Sequence, residues 1–203
     1  MTAEEEQGAS AKELLIEACR RNNTDLLTEV LAGKPDDEIT RLLNDTTTIM
    51  GNHLYHEAAS QGNYEIIDLL LDQPSFECDP LDRLHGDTPL HTAIRWLNAE
   101  PPAQHPFGLA LITMMLEAGS NPRVRNKGGL TPLQLVDPRN DALRRLIEQH
   151  DYREHNAGDF IPAATNGHDG GPPAAEDDDA DFSGSDEDER AEWERRRGRK
   201  STA

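Results

Sequence analysis

Apolar residues along the first 150 positions are grouped in short segments whose spacing is typical of amphipathic helices. Four such segments stand out, and a turn-rich stretch containing Gly, Asn or Pro precedes each one. They are Leu26–Leu31, Ile66–Leu71, Leu109–Leu116 and Leu143–Ile147. Asp37–Leu43 predicts a further short helix. The apolar periodicity ends near Asn156, so the sequence predicts a helical domain followed by a segment of different character.

The helical region contains an internal repeat, which is the strongest signal in the chain. Gly86–Ala93 reads GDTPLHTA, and a second copy, Gly129–Leu135, follows 43 residues later. A weaker copy, Gly51–Ala59, stands 35 residues before the first. A degenerate copy, Ile16–Asn23, aligns with His56–Asn63 at an offset of 40. Each copy precedes one of the apolar helices, which predicts four helix-turn-helix repeats.

The repeated letters have a physical explanation. The Thr88 hydroxyl is placed to cap a first helix, and Pro89 suits the first helical position, where a missing N–H costs nothing. Leu90 and the small Ala93 are expected to face the second helix, which allows close packing. Gly62 suits a left-handed turn between two helices. The spacing therefore predicts where each helix begins and where the chain reverses.

These motifs resemble the ankyrin-repeat superfamily over about residues 12–150. The layout is similar to that of small fungal ankyrin-repeat proteins with an acidic C-terminal tail. The matching stretches are Arg20–Leu27, Gly86–His91 and Pro122–Asn126. The resemblance implies an all-α solenoid of helix-turn-helix repeats with short β-fingers that binds proteins in the cytoplasm or nucleus. The size and plan are also similar to those of ankyrin chaperones that escort ribosomal proteins.

Several positions depart from the repeat pattern. His53 replaces the capping Thr in the second repeat, Gln134 replaces the signature His in the last, and the first repeat has no TPLH box. The loop Gly33–Met50 is overlong. Residues 98–106 are predicted to be an insertion between the two helices of the third repeat. Irregular end repeats are expected, because their outer faces meet water.

These boundaries divide the chain into three parts. Residues 1–11 are predicted to be a disordered N-terminus, and 12–152 form the repeat domain. Residues 153–203 are predicted to be a disordered acidic tail with a basic C-terminal end, because they are too poor in apolar residues to offset their ordering entropy.

Charge adds information about partners. The chain has 39 acidic and 20 basic residues, a formal net charge of −19, which disfavours direct nucleic-acid binding and favours a basic protein partner. Nine acidic residues fall within Glu176–Glu189. That segment is either a solvating tail or a shield for a basic client, and Ser183 and Ser185 fit acidophilic kinases. Arg195–Lys200 is either a nuclear localisation signal or a charge-balancing terminus.

Several functional classes lack support. The sequence has no GxSxG, P-loop, GxGxxG or HExxH motif, so we expect neither an enzyme nor a cofactor. Cys19 and Cys78 have no metal-ligand spacing, and His53 with His56 lacks further ligands. His91 is expected to make a structural hydrogen bond. The acidic start lacks the apolar region of a secretory signal, and no apolar run approaches the ~20 residues of a membrane span. We expect a soluble monomer, cytoplasmic, nuclear or both.

The resemblance places partner contacts on the finger tips and on exposed positions of the first helices. Trp and Arg are enriched at interface hot spots, so Arg95 and Trp96 are candidate partner contacts. The alternatives are that Trp96 packs under the Pro-rich insertion and that the basic side chains are ordinary solvated charges. The predicted set is Arg20, Arg21, Leu84, His85, Asp87, Arg95, Trp96, Arg123, Arg125, Lys127 and Leu130.

The sequence therefore predicts a non-enzymatic protein-binding module. The leading hypothesis is an escort or chaperone for a basic client such as a ribosomal protein. The alternative is an adaptor or regulatory subunit of a larger complex, in which the tail is incidental. An escort should lose affinity with salt and with tail removal, whereas an adaptor should be most sensitive to Trp96→Ala.

Overall fold

The computed structural model of the chain describes the backbone of residues 9–157 and the side chains through Glu154. Three predictions lie outside these residues and stay predictions: the disorder of residues 1–8 and 158–203, the phosphorylation of Ser183 and Ser185, and the role of Arg195–Lys200.

The described residues form nine α-helices, eight of them arranged in four consecutive pairs. First helices α1, α4, α6 and α8 contact one another in order, and so do second helices α2, α5, α7 and α9. Two layers of stacked helices result, which is the predicted all-α solenoid. The bounds are α1 Ala11–Arg21, α2 Thr24–Leu31, α3 Asp36–Asp45, α4 Leu54–Ala59, α5 Tyr64–Leu71, α6 Pro89–Ala99, α7 His105–Glu117, α8 Pro132–Leu135 and α9 Asp141–Ala157.

Side-chain capping marks the start of three first helices, α1, α6 and α8, whereas His53 makes no such bond at the start of α4. Thr88 caps α6 as predicted: its hydroxyl accepts from the His91 backbone N–H, and its own N–H donates to His91 Nδ1 at 3.1 Å. In α8, Gln134 takes the place of His91: its side-chain oxygen accepts from the backbone N–H of Thr131 at 3.0 Å. Helix α1 has no TPLH sequence, but Ser10 and Glu13 form a capping box at its start. The irregular end repeats thus retain the capping function with different residues.

Left-handed residues reverse the chain after the first helix in each of the first two repeats. Asn22 after α1 has φ +53°, and Gly62 after α4 has φ +66°. These two positions are 40 residues apart, which confirms the alignment of the degenerate first copy. Asn and Gly are the residues that adopt this conformation at low cost.

One continuous hydrophobic core runs through all the described repeats, from Leu15 in α1 to Ile147 in α9. Each fully buried Leu or Ile contributes roughly 1.5–3 kcal/mol, so the stacking of repeats supplies most of the stability. Cys19 belongs to this core, and burial raises the pKa of its thiol to about 12. The thiol is therefore protonated and unreactive at neutral pH.

The overlong loop between the first two repeats contains helix α3, as the sequence predicts. Its Leu43 is buried. The Asn44 side chain donates to the Ser75 carbonyl at 2.9 Å and accepts from the Glu77 N–H at 3.0 Å. Helix α3 therefore packs beside the turn that follows α5 and adds to the second-helix side of the domain.

The predicted insertion at residues 98–106 differs from a loop. Its first two residues complete α6, Pro102–Gln104 form a 3₁₀ turn, and its last two begin α7. Asn98 bonds the fourth repeat by donating to the Leu135 carbonyl at 2.7 Å and accepting from the Asp137 N–H at 3.1 Å. The extra residues therefore lengthen both helices and connect two repeats.

Two boundaries also shift. Helix α9 continues to Ala157, five residues beyond the predicted domain end at 152. At the other end Ser10 and Ala11 belong to α1 as its cap and first residue, although both fall in the predicted disordered segment. Across residues 9–157 no helix is long and apolar enough to cross a membrane.

Candidate protein-binding surface

Three turns project between successive repeats, and we call them finger 2 (Thr48–Asn52), finger 3 (Asp82–Asp87) and finger 4 (Asn126–Leu130). In each, the N–H of the first residue donates to the carbonyl of the last, at 2.9, 2.9 and 3.0 Å respectively. The resemblance predicted short β-fingers, but the described residues contain no strand, only the isolated bridge between Thr47 and His53. The fingers are tight turns rather than ladders.

Neighbouring fingers are joined to one another. The Arg83 N–H donates to the Gly51 carbonyl at 3.2 Å, and the Lys127 N–H donates to the His85 carbonyl at 2.9 Å. A Cβ atom at Gly51 would lie 2.4 Å from Arg83 Cβ, and one at Gly86 would lie 3.0 Å from Lys127 Cγ. Glycine at the end of a finger therefore lets the next finger pack directly against it.

Large apolar side chains lie exposed on these fingers. Ile49 is 96% and Met50 63% exposed, Leu84 is 59% exposed, and Leu130 is 40% exposed. We call these four residues the fingertip ridge. Leu84 and Leu130 were predicted, whereas Ile49 and Met50 were missed because they fell in the overlong loop. The 35-residue offset would have found them, since it aligns Ile49 with Leu84.

The predicted partner contact Asp87 is instead buried beneath the fingers. Its carboxylate accepts from Arg95 Nε and from Asn126 Nδ2, both at 2.8 Å. Asn126 in turn accepts from the N–H groups of Gly128 and Leu130, which shapes finger 4. Burial raises the pKa of Asp87, but the hydrogen bonds from Arg95 and Asn126 outweigh it, so the pKa lies below its ordinary value. Asp87 holds two repeats together.

Most of the predicted cationic residues are paired with carboxylates. Arg123 bonds Asp151 of α9 on the second-helix side, away from the fingers, which corrects its placement as a finger-tip residue. The other ion pairs are Arg20 with Glu57, Arg21 with Glu17 and Arg95 with Asp87. These side chains are thus poorer candidates for gripping a partner than the sequence suggested.

Trp96 is part of the packing between repeats. A Cβ atom at Gly62 would lie 2.2 Å from Trp96 Cζ2, so the indole lies directly over the turn of the preceding repeat. The Phe107 ring, just after the insertion, packs nearly perpendicular to the indole, with ring centroids 6.3 Å apart. Trp96 therefore packs within the domain, where it connects the second and third repeats.

Two buried histidines bond the next finger along the solenoid. His56 Nε2 lies 2.8 Å from the Asp87 carbonyl oxygen, and His91 Nε2 lies 3.0 Å from that of Leu130. Burial is the largest influence on both imidazoles and lowers both pKa values. His56 Nδ1 is buried without a partner, because His53 replaces the Thr that bonds the equivalent His91 atom. Both histidines act structurally, as predicted for His91.

These histidines predict a pH-dependent stability. Because the folded-state pKa values lie below the ordinary 6.5, the unfolded chain binds more protons as the pH falls through that value. We expect the free energy of unfolding to fall between about pH 7.5 and about pH 5.5. The double variant His56→Gln with His91→Gln should show a smaller fall, since Gln134 already fills this position in the fourth repeat. Urea unfolding at both pH values measures it, and an equal fall in both proteins would contradict the assignment.

Among the described residues, one group of three potential metal ligands lies in finger 3. Ligand atoms of Asp82, His85 and Asp87 fall within 4.8 Å of one another. Asp82 Oδ1 already accepts from the N–H groups of His85 and Gly86, at 2.6 and 2.7 Å. Because Asp87 is bonded to protein donors as well, this cluster is explained by the closure of the finger.

Stacked helix pairs, TPLH caps and joined fingers define the ankyrin class of repeat proteins. A family model described as "Ankyrin repeats (3 copies)" matches residues 15–101. The chain belongs to the ankyrin-repeat family. It is similar to Ankyrin repeat-containing protein YGL242C of Saccharomyces cerevisiae, with 38% identity over 145 residues, covering 70% of this chain and 77% of the yeast protein. This confirms the predicted likeness to small fungal ankyrin proteins. The model match ends inside the insertion, whereas the structure continues the pattern through α9.

Proposed function

We propose that this protein acts as an adaptor that holds its partner on the fingertip ridge. Its ankyrin repeats are a scaffold for protein–protein interaction. The observation that supports this proposal is the exposure of Ile49, Met50 and Leu84 on adjacent fingers. Contiguous exposed apolar side chains commonly mark interaction sites, because water leaves them when a partner binds.

The fingers are also well suited to binding because they are held in place beforehand. Backbone hydrogen bonds link finger 2 to finger 3 and finger 3 to finger 4. The buried Asp87–Asn126 bond fixes the last of them from below. A surface that is ordered before binding loses less conformational entropy when the partner arrives, which favours affinity.

The double variant Ile49→Ser with Met50→Ser tests the ridge. We expect capture of the specific partners to fall about tenfold, because roughly 1.4 kcal/mol of apolar burial is lost. Stability should change by less than about 0.5 kcal/mol, since both side chains are exposed. Cross-linking in lysate with mass spectrometry measures the capture, and thermal unfolding checks the fold.

Tyr152→Ser serves as the control, because Tyr152 is 71% exposed on α9 rather than on a finger. It should leave the captured proteins unchanged. Equal capture by the fingertip variant and the wild-type protein would contradict the proposal.

A second candidate function, escort of a basic client, has separate support. Between residues 24 and 72 the sequence has nine exposed carboxylates and two basic residues, Lys34 and Arg41. Such a surface attracts basic proteins over about 8 Å at physiological salt. These carboxylates lie on α2, α3 and α5 or directly after α5, away from the fingers: Asp25, Glu29, Asp36, Asp37, Glu38, Asp45, Glu65, Asp68 and Asp72.

Truncation separates the two candidates. The shortened chain should end after Ala157, since a cut near Tyr152 would remove the last part of α9. An escort should lose a basic client on truncation and with added salt. An adaptor should keep its partner after truncation and lose it in the fingertip variant. Trp96→Ala does not discriminate, because it would disturb the packing of two repeats. Cytoplasmic or nuclear localisation and a monomeric state stay predictions.

A further inference from the structure

The exposed charged side chains of the fingers are opposite in sign to the net charge of the whole chain. Although the net charge is −19, the exposed charged side chains of fingers 3 and 4 include Arg83 and Lys127, and Arg125 stands directly before finger 4. The carboxylates of finger 3, Asp82 and Asp87, are both buried. Finger 2 contains no charged residue.

Lys127 and Arg125 are held by groups that do not neutralise them. Lys127 Nζ donates to the Arg83 carbonyl at 2.5 Å, and Arg125 Nη1 donates to the Gly129 carbonyl at 2.7 Å. Carbonyl oxygens orient the ammonium and guanidinium groups, yet the full positive charges remain. The Asp87 charge is balanced by Arg95 at 2.8 Å. The fingertip ridge therefore lies among cations that have no carboxylate partner in the described residues, and two of them, Arg125 and Lys127, are oriented.

We propose that the ridge binds a partner segment that is both acidic and apolar. Its large apolar side chains cover Ile49, Met50 and Leu84, and its carboxylates pair with Arg83, Arg125 and Lys127. Like charges placed opposite one another at an interface repel, so a basic segment is selected against. The inference rests on the proposed use of the fingertips and adds the chemical class of the ligand.

Selection of peptides tests this class. Short random peptides displayed on phage are selected against the full-length chain, and the enriched sequences are synthesised. We expect them to carry a net negative charge and large apolar residues. Arg83→Glu should weaken their binding about tenfold, roughly 1.4 kcal/mol. Arg145→Glu makes the same charge change on α9 and should leave binding unaltered. Fluorescence anisotropy gives the affinities, which should fall as salt is raised.

The possible outcomes separate the two proposals. Enriched peptides that are basic or uncharged would overturn the acidic class. The fingertip function would survive that result if the Ile49→Ser, Met50→Ser variant lost their binding. Acidic peptides that bind Arg83→Glu and wild type equally would overturn the class as well. Peptides insensitive to every fingertip substitution, or no enrichment at all, would overturn both.

Discussion

Gly62→Ala should lower the free energy of unfolding by about 2 to 5 kcal/mol. Its φ of +66° costs a residue with a side chain roughly 1–2 kcal/mol. The added Cβ would also lie 2.2 Å from the Trp96 ring, and overpacking of this kind costs about 1–3 kcal/mol more. The ring cannot move aside easily, because Phe107 packs against it. Urea unfolding followed by circular dichroism measures the loss.

Gly33→Ala is the matched control. Gly33 has φ +74°, close to that of Gly62, but no atom lies within 4 Å of its added Cβ. Only the conformational cost of about 1–2 kcal/mol is expected there. Equal losses at the two glycines would show that the close approach of Trp96 adds nothing to the stability of the repeat stack.

Asp87→Ala is the second substitution for which we expect a large loss, about 2 to 4 kcal/mol. It removes the acceptor of the buried Asn126 amide and leaves Arg95 without its counter-ion. Finger 4 should loosen as well, since Asn126 accepts from the N–H groups of Gly128 and Leu130. Chemical unfolding at neutral pH measures the loss, and hydrogen exchange at Gly128 reports on the finger.

The pH dependence gives this prediction a second readout. The pKa of Asp87 is lowered in the folded protein. Its contribution to the free energy of unfolding is therefore present above its pKa in the unfolded chain and is lost as the pH falls through its pKa in the folded protein. The difference between wild type and Asp87→Ala should therefore shrink below about pH 4. Asp68→Ala, on the exposed side of α5, should change stability by less than about 0.5 kcal/mol. A loss there as large as at Asp87 would contradict the buried-network explanation.

Local sequence signals were sufficient for the helices and their order. The Thr88–His91 box and its copy at Thr131–Gln134 specify caps whose donors and acceptors lie three residues apart. Helix α3 was recognisable for a similar reason, since its amphipathic pattern is contained in one short segment. The 40-residue offset located the first repeat even without its box, because Asn22 and Gly62 fulfil the same left-handed requirement.

The candidate surface was predicted less well, because residue type alone does not tell which side chains are already engaged. Arg95 and Trp96 looked like interface anchors, yet one is bonded to Asp87 and the other lies over Gly62. Ile49 and Met50 looked like ordinary loop residues, but the stacking of finger 2 beside finger 3 leaves them exposed on the ridge.

The sequence by itself determined the family, the number and order of the repeats, and the caps and turns within each repeat. Those features depend on residues a few positions apart, whose spacing is visible in the chain. The tertiary structure decided which polar groups are buried and which apolar groups stay exposed. It did so because the deciding contacts join neighbouring repeats: Arg20 bonds Glu57 across 37 residues, and Asn126 bonds Asp87 across 39. Stacking creates those contacts, and no single repeat contains both partners.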